Sequence, residues 1–128
     1  MFFTNKMQFF SKGDGRSSVT PSMAVAQTVF MREHNRLAEE LAKLNPKWDD
    51  ERLYQEARRI LIAQAQHITY NEWLPIIIGR QKMQDLGLLP LQNGFSNDYD
   101  KNLNPGILNE FVGAAFRFGH SMVQGKIQ

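Results

Sequence analysis

The chain has no cysteine among its 128 residues. Disulfides and thiolate metal ligands within it are therefore excluded. Long hydrophobic runs are missing too: nothing approaches the roughly 18 apolar residues that a membrane-spanning helix needs. The opening MFFTNKMQFFSKG is broken by Asn5, Lys6 and Gln8. It holds no apolar core of about 7–15 residues, so no signal peptide is read in it. There is no N-x-[ST] glycosylation acceptor, no internal repeat and no low-complexity tract. A dominant charge is lacking as well. Fifteen basic residues are interspersed with thirteen acidic ones for a net charge of +2, which leaves no nucleic-acid footprint. No segment alternates apolar and polar residues as a half-buried strand would.

What is present is ordinary globular composition, 42% hydrophobic and 22% charged, at about the length of one domain. Residues 1–12 read as irregular. SKGDGRSS is a small polar loop with two glycines, and Thr20-Pro21 then opens a helix, Thr as cap and Pro in the first turn. Met23, Ala26, Phe30, Leu37, Leu41 and Leu44 follow at helical spacing, and Asn45-Pro46 ends the run. Asp49 or Asp50 starts a second helix with Leu53, Ala57, Ile60, Leu61, Gln64 and Ile68 on its inner face. Pro75 stops it near Trp73 or Leu74. A short helix is expected around 81–86. QNGFSNDYDKNLN is a loop, after which Asn104-Pro105 opens a last helix reaching about Gln124. The fold class is all-α, with three substantial helices plus loops.

Several stretches invite chemistry and are weighed against plainer roles. DKNLNPG has alternating oxygen ligands, but Pro105 and Phe111 stand where a calcium hand needs Gly and Glu. A loop ending in a helix cap is the better account. MREHNR has the composition of a zinc helix without a second His one turn on, so His34 reads as structural. His67 reads as a partly buried, hydrogen-bonded histidine. In GAAFRFGHS, Arg117 and His120 are three residues apart and share a face. Gly113, Ala114, Ala115 and Gly119 thin the helix surface beside them. Two accounts stand: a histidine packed between helices, or an imidazole beside which something wide and flat, such as haem, approaches. Arg16, in GDGRSS, is on its own a solvated loop arginine.

Taken together, GDGRSS, MREHNRLAEELAKLNPKWDDERLYQEARRI, ITYNEWLPIIIG and NEFVGAAFRFGHSM resemble the animal haem peroxidase family, in its peroxidasin-like and insect chorion-peroxidase-like cast. The resemblance covers about residues 13–124 and implies that 1–128 is a partial, mainly helical peroxidase domain. It implies that His120 is the proximal ligand of the haem iron. Arg117 would meet a haem propionate, and Arg16 would be the distal catalytic arginine. The implied reaction is reduction of hydrogen peroxide with oxidation of a small-molecule donor, in a secreted protein that takes part in the response to oxidative stress.

The family carries an ester-forming Glu three residues after the distal arginine; here Val19 stands there. Haem b without an ester link at that position is therefore expected. The family's distal histidine, second ester-forming Asp and calcium loop would precede Met1, and the asparagine that orients the proximal histidine would follow Gln128. Calcium is thus not expected on this segment. The isolated chain is expected to be incomplete and inactive, with the rest of the domain required. The alternative is a non-catalytic fragment or a helical haem- or partner-binding module lacking the distal histidine.

Overall fold

Helix starts are written locally in this chain, and the two long ones form where the sequence puts them. In a computed structural model, residues 16, 19–123 and 125 are described. The irregular segment expected over 1–12, together with Gly13, Ser17 and Ser18, lies outside them. Helix α1 spans Pro21–Leu44. Thr20 caps it, its hydroxyl accepting from the Met23 N–H at 3.2 Å, and Pro21 fills the first turn, where no N–H is needed. At the other end, Asn45 closes the helix with its own N–H and its side-chain amide, both on the Leu41 carbonyl. Helix α2 spans Asp50–Ile68. Asp49 is its cap, accepting from Arg52 N–H at 2.9 Å. Asp50 and Glu51 complement the helix dipole in the first turn.

Pro75 does not end this second helical rod. The structure carries it through a π turn, Thr69–Trp73, into helix α3, Leu74–Ile78. An α-helical residue 75 would donate its N–H to the carbonyl of Asn71, but proline has none and its ring would collide with that carbonyl. The wider turn relieves the collision, and Leu74 N–H reaches back five residues to Thr69. Thr69 and Asn71 add side-chain bonds to the carbonyls of Ala65 and His67. Gly79, at φ +79°, then turns the chain into helix α4, Arg80–Asp85, close to the short helix expected around 81–86. Gly87 at φ +66° closes α4, with Leu88 N–H on the Met83 carbonyl and Gly87 N–H on that of Gln84. That is a Schellman stop, which needs the left-handed backbone glycine tolerates.

The chain divides into two units, Met1–Pro90 and Leu91–Gln128. In the first, α1 and α2 fold against one another, and the buried side chains among the described residues are Leu53, Ala57 and Met83. On α2 the covered face runs Leu53, Ala57, Leu61, Gln64 and Ala65. Ile60 and Ile68, expected there, are exposed. On α1, Leu37 and Leu41 are half-buried, whereas Met23, Ala26, Phe30 and Leu44 of the expected stripe are exposed. Helical spacing marks a face that can be buried; burial itself needs an opposing surface.

The second unit departs from the third long helix expected. Asn104 does not cap a helix there. Its carboxamide oxygen accepts from Gly106 N–H at 2.9 Å, making a local turn. The α-helix, α5, is only Asn109–Gly113, and a 3-10 helix follows over Ala115–Met122. Neither buries a residue. A short helix without a packed face has little to stabilise it, and the glycine at 113 weakens it further. The all-α class stands: among the described residues there is helix and no strand. No helix among them is long and apolar enough to cross a membrane.

With so few buried side chains, each carries much of the packing. Met83→Ala should lower unfolding stability by about 2–5 kcal/mol, read as a shift in the urea midpoint by circular dichroism. A shift of less than about 0.5 kcal/mol, the range of surface changes, would remove Met83 from the core.

Candidate functional site

Arg117 and His120 lie on the 3-10 helix Ala115–Met122. That helix has three residues per turn, so side chains three apart eclipse one another, whereas on an α-helix they would stand about 60° apart. One edge therefore carries Arg117 and His120. A second carries Phe116, Gly119 and Met122, and a third Ala115, Phe118 and Ser121. The Ser121 hydroxyl donates back to the Phe118 carbonyl at 2.7 Å. Both Arg117 and His120 are exposed, and neither side chain has a hydrogen-bond partner among the described residues.

A Cβ added at Gly113 would meet nothing within 4 Å, and one at Gly119 would meet only the Met122 methyl at 3.9 Å. Packing among the described residues does not require either residue to be small. The thin surface suits a flat macrocycle, an exposed imidazole suits its iron, and an arginine one turn away suits its carboxylates. The residues present fit haem. Phe111 and Phe116, with ring centroids 6.0 Å apart, add aromatic surface beside them.

Arg16 belongs to the first unit. It sits in a turn closed by Val19 N–H on the Arg16 carbonyl at 3.2 Å, and is exposed. Val19 is 69% exposed, and its hydrocarbon side chain offers no oxygen. Thr20, next along, has its hydroxyl committed to the cap of α1.

Spacing left a polar seam between α1 and α2 unread. Glu33 accepts two hydrogen bonds from Arg36, at 2.7 and 2.8 Å, and a third from Gln64 of α2 at 3.1 Å. His34 Nε2 donates to the Tyr54 carbonyl of α2 at 3.2 Å, with the two rings 5.1 Å apart. His34 is thus structural, in keeping with its sequence reading. The available signal was Gln64, a polar side chain in an apolar stripe. His67 differs from expectation: it is exposed, its ring held by the Asn71 amide at 3.1 Å. Among the described residues no three His, Asp or Glu side chains gather as a metal site.

The comparisons with known proteins show the family. The family described as animal haem peroxidase matches residues 3–128. Chorion peroxidase of Drosophila melanogaster is 57% identical over 93% of this chain, and chorion peroxidase of Aedes aegypti 53% over 91%. Eosinophil peroxidase of Homo sapiens is 45% identical over 90%. The chain belongs to the animal haem peroxidase family. It spans about 15% of the length of each of these three relatives.

The Arg36 hydrogen bonds, followed by that from Gln64, lower the Glu33 carboxyl from 4.5 to about 2. A depressed folded-state value stabilises the fold above the ordinary carboxylate range, and that stability is lost as pH falls from about 4.5 towards 2. Carbon-detected NMR should find Glu33 titrating near the bottom of this window, and Arg36→Met should move it back up. A wild-type midpoint near 4.5 would contradict the Glu33–Arg36 pairing.

Proposed function

We propose that this chain is a partial catalytic domain of a haem peroxidase that reduces hydrogen peroxide and oxidises a small-molecule donor. The observation that carries the proposal is the exposed edge on which Arg117 and His120 eclipse, unpartnered within the segment and beside glycines that packing does not require. Haem b, when bound, supplies the redox chemistry. His120 would be its proximal iron ligand, and Arg117 would pair with a propionate. Arg16 would donate hydrogen bonds to peroxide and stabilise the charge that develops as the O–O bond lengthens. A guanidinium stays protonated at any working pH, so this role is electrostatic and does not include taking the peroxide proton. A general base for that proton would come from the rest of the domain.

The same proposal extends to attachment, assembly and place. Haem would have no ester link at residue 19, because valine has no carboxylate. Calcium would be held elsewhere in the domain. The rest of the domain is required for turnover, which makes 1–128 a part of one catalytic domain. The whole protein would act outside the cell, in the response to oxidative stress; the chorion peroxidases among the relatives support an extracellular setting.

Titration of the chain with haem separates this proposal from a module that does not use the edge. The expected result is a histidine-ligated Soret band that His120→Ala loses, with Arg117→Ala weakening affinity by about 3- to 10-fold, as loss of one partly solvated charge-assisted bond does. Spectra identical in wild type and His120→Ala would remove His120 as ligand. Acidified organic solvent should extract haem from the native protein with no modification due to residue 19. A haem–peptide adduct at Val19 would refute the unlinked state.

A further inference from the structure

The Arg16 backbone is tied by a hydrogen bond to the residue that precedes the cap of α1. Its carbonyl closes the turn with Val19 N–H, Thr20 caps the helix in the next step, and Pro21 begins it. A change in the direction of α1 is therefore passed to Arg16 through this hydrogen bond. Yet the front of α1 is poorly held within the unit. From Pro21 to Phe30 no side chain is buried, and only Ala24 and Thr28 are half-covered. The hydrogen bonds that join an α1 side chain to α2, among the described residues, are those of Glu33, which accepts from Gln64, and His34, which donates to the Tyr54 carbonyl.

Those two neighbours grip α2 at Gln64 and Tyr54, ten residues apart, which is about 15 Å along a helix axis. A single bond would leave α1 free to pivot about it; a second bond, from the next residue of α1 to a distant point on α2, restrains that pivot. The Glu33 carboxylate is itself held in place by the double bond from Arg36. From Glu33 to Pro21 is about 18 Å at 1.5 Å per residue, so a tilt of about 10° at the seam would carry the Arg16 turn by about 3 Å. A displacement of about 1 Å can cost on the order of 100-fold in a reaction that depends on placement.

We propose that Gln64 and His34 are positioning residues for Arg16: the two-point seam between α1 and α2 sets the direction of α1 and with it the place of the guanidinium in the peroxide site. This rests on the role given to Arg16 above. The seam touches neither peroxide nor haem, and it acts through the helix.

The test uses the native protein and compares Gln64→Leu, His34→Leu, His34→Gln and Arg16→Lys. In Gln64→Leu and His34→Leu, kcat/KM for hydrogen peroxide should fall at least 10-fold. Haem content, the proximal Soret spectrum and kcat/KM for the donor at saturating peroxide should not change. His34→Gln, which keeps an N–H donor able to reach the Tyr54 carbonyl, should stay within about 3-fold of wild type. An unchanged peroxide value in Gln64→Leu overturns the proposal. So does a loss that follows haem content or falls equally on donor and peroxide, including failure to load haem, because that is the pattern of a merely structural seam. A distinct outcome strikes the underlying reading instead: if Arg16→Lys leaves the peroxide reaction unchanged, Arg16 has no role there to position.

Discussion

The Glu33 carboxylate is the point on which the helical pair turns. Its oxygens accept from Arg36 on the same helix and from Gln64 on the facing one. An ionised carboxylate with three donors is satisfied where it stands, so a charge that would be costly at a helix–helix contact becomes a fixed reference for both helices. The His34 bond to the Tyr54 carbonyl adds direction to that reference. Around it the apolar contribution is modest, since Leu53, Ala57 and Met83 are the buried side chains of the described residues. Polar geometry therefore decides how α1 and α2 meet, and apolar packing then holds the arrangement.

The second unit shows the opposite economy. Its helical segment leaves Phe111, Val112, Phe116, Phe118 and Met122 about half exposed. The side chains with the most distinctive chemistry, Arg117 and His120, have no partner within the segment. Apolar surface and unpartnered polar groups on one short element suit the cofactor role proposed for it. The 3-10 winding matters here, because it stacks cation and imidazole on a single line, where an α-helix would offset them.

The sequence was most readable where structure is set within a few residues. Thr20-Pro21, Asn45-Pro46 and Asp49 each act through a side chain and a backbone group at most four positions away, so both ends of α1 and the start of α2 could be set in advance. Pro75 misled, because passing it depends on a change of helical register spread over Thr69–Trp73, which no local preference records. Asn104 misled for a related reason: the same side chain can cap a helix or close a turn, and Gly106 offered it the turn. The exposed positions Met23, Phe30, Ile60 and Ile68 show that a stripe can be read from spacing while its cover cannot. At the candidate site the spacing of Arg117 and His120 was legible, and their family resemblance gave them roles to test. The eclipsed edge and the α1–α2 seam were not legible, because both are properties of backbone winding and of contacts between residues far apart in the chain.

The π turn has a further consequence for how this polypeptide tolerates length changes. A turn closed over five residues holds one residue more than the four-residue repeat of the rod around it. Deleting a single residue between Thr69 and Trp73 would restore the α repeat, turning every side chain beyond it by about 100° relative to α2 and pressing the Pro75 ring back against the carbonyl behind it. Elsewhere in the rod the same deletion would break a uniform register; here it would erase a phase difference already built in. The helix thus keeps two angular registers in series, with Pro75 as the reason they differ.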